Sequence, residues 1–213
     1  MKVKIKKQGK TESFNLINSW EDVTLETWLK LIDFENGTKT EQASETIQAL
    51  SDIPKQLVNE LALSDVAVIM AKVAELQAKQ DTNLKRIIEI NEVEYGFMPD
   101  LNAITLGEYA DIEQFIKNGI HKQLPELMAV LHRPIKEKKN DIYIIDAYDG
   151  DITMRTEEMK QMSASQVQNA LVFFYHFGTA LSETLLSFSM ERLKEMKPQS
   201  QPKVSLVSGD GLA

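Results

Sequence analysis

The chain has 213 residues, 43% hydrophobic and 26% charged, which suits one large domain, or a domain with an appendage, burying an ordinary core. A net charge of −8 disfavours a general nucleic-acid binder, and the absence of cysteine excludes disulfides and thiolate metal sites. No apolar run approaches the roughly 18 residues of a membrane span, and the basic start has no apolar segment behind it to make a secretory signal.

Alternation in Lys2–Lys7 and in Ser13–Ile17, across the turn-like Gln8-Gly9-Lys10-Thr11, predicts a β-hairpin over 2–17. Gly9-Lys10-Thr11 resembles the end of a phosphate-binding loop, but Lys4 stands where its first glycine belongs, and a strand follows, so nucleotide binding is rejected. Thr24 is the expected N-cap of a helix with Leu25, Trp28, Leu29 and Ile32 on one side and Trp20 packing back on it. Thr38 with Glu41 predicts a capping box and a helix to about Leu50. Asp52-Ile53-Pro54 starts a short helix ending near Leu61, and Ser64 is the expected cap of another through Gln77. The links between these helices are short, which forces them to pack on one another.

Gln80 to Leu84 is polar and is the expected hinge or module boundary. Beyond it Ile87, Ile88 and Ile90, then Val93, Tyr95 and Phe97, bracket Asn91-Glu92 in a second hairpin. Thr105 with Glu108 caps a helix carrying Leu106, Tyr109, Ile112, Phe115 and Ile116. Leu124 to Leu131 follows as a helix, with Pro125 in its first turn and Pro134 closing it. Asp141 to Tyr148 reads as a strand, Asp149-Gly150-Asp151 as a turn and Thr156 to Met162 as a short helix.

The longest helical pattern is Ser165 to Met196, opened by a Ser163–Gln166 capping box and stopped by Pro198. Val167, Ala170, Leu171, Phe174, Phe177, Leu181, Leu185, Phe188 and Leu193 line one face, so this helix is the expected organiser of the fold. Phe173, Tyr175, Met190 and Met196 lie off that stripe and are candidate protein-interface residues. Residues 197–213 surround Val204-Ser205-Leu206-Val207 with proline, serine and glycine, predicting an extended tail. There Val204, Leu206 and Val207 are interface candidates, suited to adding a strand to a neighbour's sheet or lying in its groove.

Charge is uneven. Lys2, Lys4, Lys6, Lys7 and Lys10 make the first ten residues basic, and Arg133, Lys136, Lys138 and Lys139 form a second cluster. Both are read as edge strands and loops kept soluble, with docking onto an acidic neighbour, such as another copy of this chain, as the alternative. His121, His132 and His176 lack the spacing of a metal or catalytic pair and read as structural or surface residues. Asp146, Asp149 and Asp151 around Gly150 are superficially like a calcium loop, with Tyr148 where an oxygen ligand belongs. Glu157-Glu158 reads as an exposed first-turn pair favouring the helix dipole. Gly107 is expected to let another backbone approach, and Arg133 to hydrogen-bond the last carbonyls of the helix before it. No catalytic, cofactor-binding or metal residue is assigned, and no cofactor is expected.

Three blocks together resemble a group of proteins that tailed bacteriophages encode among their structural and tail genes. The first is Asn18 to Thr24 (NSWEDVT). The second joins Val93 to Leu101 (VEYGFMPDL) with Ile104 to Phe115 (ITLGEYADIEQF). The third joins Met128 to Ile135 (MAVLHRPI) with the aromatic Val172 to Tyr175 (VFFY). The resemblance implies a non-enzymatic virion or assembly protein.

The expected fold is α+β, mainly α: a helical cluster with two β-hairpin elements, one long C-terminal helix and an extended C-terminal tail. Its expected divisions are 1–80 (N-terminal hairpin plus helical cluster), 81–196 (hairpin–helix module with the long helix) and 197–213 (tail). The expected function is a non-catalytic bacteriophage virion component: a neck, head–tail connector or tail-ring subunit. Such a subunit would sit in a homo-oligomeric ring, contact other phage structural proteins and be assembled in the host cytoplasm, with no membrane and no specific nucleic acid as partner. The alternative is a tail-assembly chaperone that binds a tape-measure or other virion protein transiently. A host-directed phage enzyme or inhibitor is the third reading.

Overall fold

In the computed structural model, which describes residues 1–7, 10–33, 37–79, 81, 83–100 and 103–175, the N-terminal hairpin forms as expected. Strands β1 (Lys2–Lys7) and β2 (Lys10–Asn15) pair antiparallel, with Val3 opposite Phe14 and Lys4 opposite Ser13. The two-residue period of a strand puts Val3, Ile5 and Phe14 against an apolar cluster that includes Leu16, Trp20, Val23, Ile47, Leu50 and Ile69. Lys2, Lys4 and Lys6 remain exposed. The ribbon is tied to the helices where the Asn15 backbone N–H and Nδ2 donate to the Asp52 carboxylate at 2.6 and 2.7 Å.

Four helices follow: α1 (Leu25–Asp33), α2 (Lys39–Leu50), α3 (Lys55–Asn59) and α4 (Leu63–Ala78). Thr24 Oγ1 accepts from the Thr27 N–H at 3.2 Å, and the Thr38–Glu41 capping box is complete. Ser64 is not the cap of α4. That helix begins two residues earlier than such a cap would place it, with Ala62 at its N-cap and no side-chain cap.

The second hairpin, β3 (Ile87–Ile90) and β4 (Val93–Phe97), also forms, and Asn91 and Glu92 take φ of 50° and 66°, as a tight primed turn requires. It is not a free-standing element. Strands β5 (His132–Lys139) and β6 (Ile142–Ile145) continue it into a four-stranded antiparallel meander, β3-β4-β5-β6. Pro134 does end the helix before it, as expected, but the chain passes straight into β5, where Pro134 sits opposite Tyr95.

Helix α6 (Leu124–Leu131) runs into β5 and packs against α5 (Leu106–Lys117) and α7 (Thr153–Met159), and a last helix, α8, is described over 164–175. Seven of the eight α6 residues are buried, as expected of a helix apolar on all sides. Among the described residues α6, rather than the C-terminal helix, is the centre of the second half. Residues 1–173 form one compact unit and 174–213 another, of which 174 and 175 are described. The division expected at residue 80 lies inside the first unit.

Within the expected hinge or boundary, Asp81 and Asn83 are pinned. Asn169 Nδ2 donates to the carbonyls of Asp81 and Asn83 at 2.9 and 3.0 Å, and Gln166 Oε1 accepts from the Lys85 N–H at 2.9 Å. Gln166 is thereby drawn away from Ser163, whose buried Oγ has no hydrogen-bond partner among the described residues, so the expected capping box is not made. The start of α8 is held by backbone instead: the Ala164 N–H donates to Val23 and the Leu25 N–H to Met162, both at 2.7 Å. Glu157 and Glu158 lie in the last turn of α7, not its first. There Glu157 pairs with Lys160 at 2.7 Å, and Glu158 accepts from Asn91 Nδ2 at 2.7 Å. No helix among the described residues is long and apolar enough to cross a membrane.

Candidate protein-binding site

Three- and four-residue spacing puts Trp28, Leu31 and Ile32 of α1 on one side of that helix, facing Met70 and Val73 of α4. With Trp20, they line a cleft of about 250 Å³. Trp28, Leu31 and Ile32 are only half-buried, so the described residues leave the cleft open. Trp20 is almost wholly buried, and its indole N–H has no hydrogen-bond partner among the described residues, an arrangement that costs stability unless a partner or water answers it.

The outer side of α4 extends this surface. Leu63, Ala67, Ala71 and Ala74 are exposed at four-, four- and three-residue intervals, with Val68 beside them, and Leu63 and Val68 are 83% and 63% exposed. Only Ile69 and Val73 of α4 are fully buried. Helix α5 divides similarly: Ile112 and Phe115 turn inward, while Leu106, Tyr109 and Ile116 stay exposed. Tryptophan is among the residue types that carry most of the binding energy at protein interfaces.

The charged groups buried in the fold are committed to holding it. Glu108 and Arg133, 2% and 7% exposed, form an ion pair at 2.8 Å, so Arg133 turns to Glu108 rather than to the carbonyls of α6. The Glu108 carboxylate also accepts from Thr105 N–H and Oγ1, each at 2.6 Å, completing the expected cap of α5. Burial holds the Arg133 guanidinium below its ordinary pKa, and Glu108 opposes that shift. Arg133 lies 5.9 Å from the centre of the Tyr148 ring, and the Tyr148 hydroxyl donates to Asp111. Burial, then Asp111, pushes the phenol pKa up. These contacts lock α5, β5 and the segment after β6 together.

His132 is wholly buried, edge-on to Phe97 at 5.2 Å, with Nδ1 3.3 Å from the Met128 carbonyl. Burial lowers its pKa from 6.5 to about 4, against the opposing hydrogen bond, so it is neutral at pH 7. His121 is exposed in a turn of 3-10 helix, Ile120–Lys122, and His176 lies outside the described residues. Asp146 pairs with Lys136 at 3.2 Å, while Asp149 and Asp151 accept backbone N–H groups leading into α7. These aspartates thus support a turn. Gly107 has nothing within 4 Å of where a Cβ would stand, so no backbone approaches it. Gly96 is the tightly packed glycine: its Cβ would lie 2.4 Å from the Tyr143 ring.

Of the interface candidates, Phe173 is half-buried, edge-on to Phe97 at 5.4 Å with the Arg86 guanidinium 6.0 Å from its ring. Tyr175 is 73% exposed. Met190, Met196, Val204, Leu206 and Val207 lie outside the described residues. The cleft was not anticipated from the sequence. The available signal was the excess of apolar residues in α4 (LSDVAVIMAKVAELQA), more than one buried face accommodates. No protein-family model, curated protein or solved structure matches this chain.

Proposed function

We propose that the chain is a non-catalytic component of a tailed-phage particle, a neck, head–tail connector or tail-ring subunit that assembles as a homo-oligomer and binds neighbouring virion proteins through apolar surfaces. The observation that carries this is the open cleft between α1 and α4, with the apolar outer side of α4 continuing it. Contiguous outward apolar surface of this kind marks protein-binding sites, and the buried ionisable pair and histidine are spent on packing rather than facing that cleft. The phage context comes from the resemblance of the three sequence blocks.

Mass spectrometry of purified particles tests the proposal: the protein should be present at a fixed stoichiometry with the head and tail proteins. Absence from finished particles, with co-purification of a tail protein before assembly, gives the chaperone instead. Catalytic turnover by the isolated protein overturns both.

A further inference from the structure

The two hairpins carry opposite charge, uncompensated at Lys2, Lys4 and Lys6 on one and at Glu89 and Glu92 on the other among the described residues. On β1, Lys2, Lys4 and Lys6 fall on one exposed face, opposite the neutral Asn15, Ser13 and Thr11. None has an ion-pair partner among the described residues. At two residues per repeat the three lysines span roughly 13 Å along one strand. On the other hairpin Glu89 stands directly opposite Glu94, and Glu92 occupies the turn beside them. Like charges directly across a strand pair destabilise it. Lys138 answers Glu94, while Glu89 and Glu92 are exposed with no ion-pair partner among the described residues.

Lys2, Lys4 and Lys6 on one hairpin, and Glu89 and Glu92 on the other, thus carry charge that no ion pair within their own sheets answers among the described residues. The two belong to different sheets of the same compact unit, residues 1–173. We propose that the Lys2/Lys4/Lys6 face of one copy docks on the Glu89/Glu92/Glu94 hairpin of the next. Two different patches meeting make a heterologous contact, which closes a ring when the rotation permits. The inference rests on the homo-oligomer reading above and deepens it by naming the contact. A chain of net charge −8 otherwise repels its own copies, so a local basic face both permits and orients their association.

Two variants test it: Lys2→Glu/Lys4→Glu/Lys6→Glu, and Glu89→Lys/Glu92→Lys. Their exposed positions leave each free to fold, checked by circular dichroism and thermal melting. Light scattering and native mass spectrometry at low salt should show wild-type oligomers. Each variant alone should lose association by at least about tenfold, and an equimolar mixture of the two should regain it, because the acidic face of one then meets the basic hairpin of the other. Salt near 1 M, where screening acts over about 3 Å, should dissolve the wild-type contact. Wild-type oligomers indifferent to both variants overturn the pairing and leave the homo-oligomer reading standing. A wild-type protein monomeric at every concentration overturns the contact and the homo-oligomer together. If that monomer instead shifts DNA or RNA in a Lys2/Lys4/Lys6-dependent manner, the basic face serves a polyanion.

Discussion

At Glu108 the capping box with Thr105 was legible in the sequence, because its partners lie three residues apart; the ion pair to Arg133 was not, because it joins residues distant in the chain. The pair is buried on both sides, and removing one partner of such a pair leaves the other charge desolvated. Arg133→Met should therefore destabilise the protein by roughly 3–5 kcal/mol, read as a lowered urea midpoint at unchanged slope; a midpoint that stays put means that Glu108 finds water instead. His132 gives a pH signature of definite sign. Its folded pKa of about 4 lies below the ordinary 6.5, so below pH 6.5 the unfolded chain takes up a proton that the folded chain refuses. Stability is unaffected by this group above pH 6.5 and falls as pH drops towards 4, by on the order of 3 kcal/mol. His132→Leu should flatten that part of the urea-stability profile between pH 6.5 and 4, even if it shifts the whole curve. An unchanged slope would assign the acid limb to other groups.

Elements with a local code were readable; those made by their neighbours were not. The turn at Asn91-Glu92 announced β3 and β4, and the caps at Thr38 and Thr105 announced α2 and α5. Strand β5 carries Lys136, Glu137, Lys138 and Lys139 with no apolar alternation, so nothing in its own residues asks for a sheet. It is a strand because β4 and β6 offer it hydrogen bonds on both sides. The same packing makes Gly96, not Gly107, the position of close approach. A Cβ at Gly96 would meet Tyr143 at 2.4 Å and Ile145 at 2.8 Å. Tyr143 cannot swing away freely, since its hydroxyl donates to the Phe97 carbonyl at 2.5 Å. Gly96→Ala should cost about 1–3 kcal/mol, whereas Gly107→Ala, in the open first turn of α5, should be neutral or stabilise by up to about 1 kcal/mol. Thermal unfolding of the two variants side by side checks the contrast. Similar melting temperatures would mean that the sheet yields around Tyr143.

For the whole molecule, hydrophobic period tells which residues a helix turns away from water, but not whose atoms cover them. That is why Phe173, off the main stripe of α8, packs on Phe97 within the chain, while Trp28, Leu31 and Ile32, on the expected buried side of α1, line an open cleft. Stability and binding therefore separate on α4. Ile69 and Val73 belong to the core, whereas Val68 and Ala71 are exposed and contribute little to folding. Charges at exposed positions usually change stability by no more than about 0.5 kcal/mol, yet one carboxylate in an apolar contact leaves a desolvated charge when the contact forms. Val68→Asp/Ala71→Asp should thus melt within about 4 °C of the parent and, on the proposed virion role, fail to enter phage particles when it replaces the wild-type protein, as counted by mass spectrometry. Normal incorporation would remove the outer side of α4 from the binding surface and leave the cleft as its remaining part. Trp28→Ala then decides that part: it should lower incorporation more than it lowers the melting temperature if the ring awaits a partner, and the reverse if the ring serves the core.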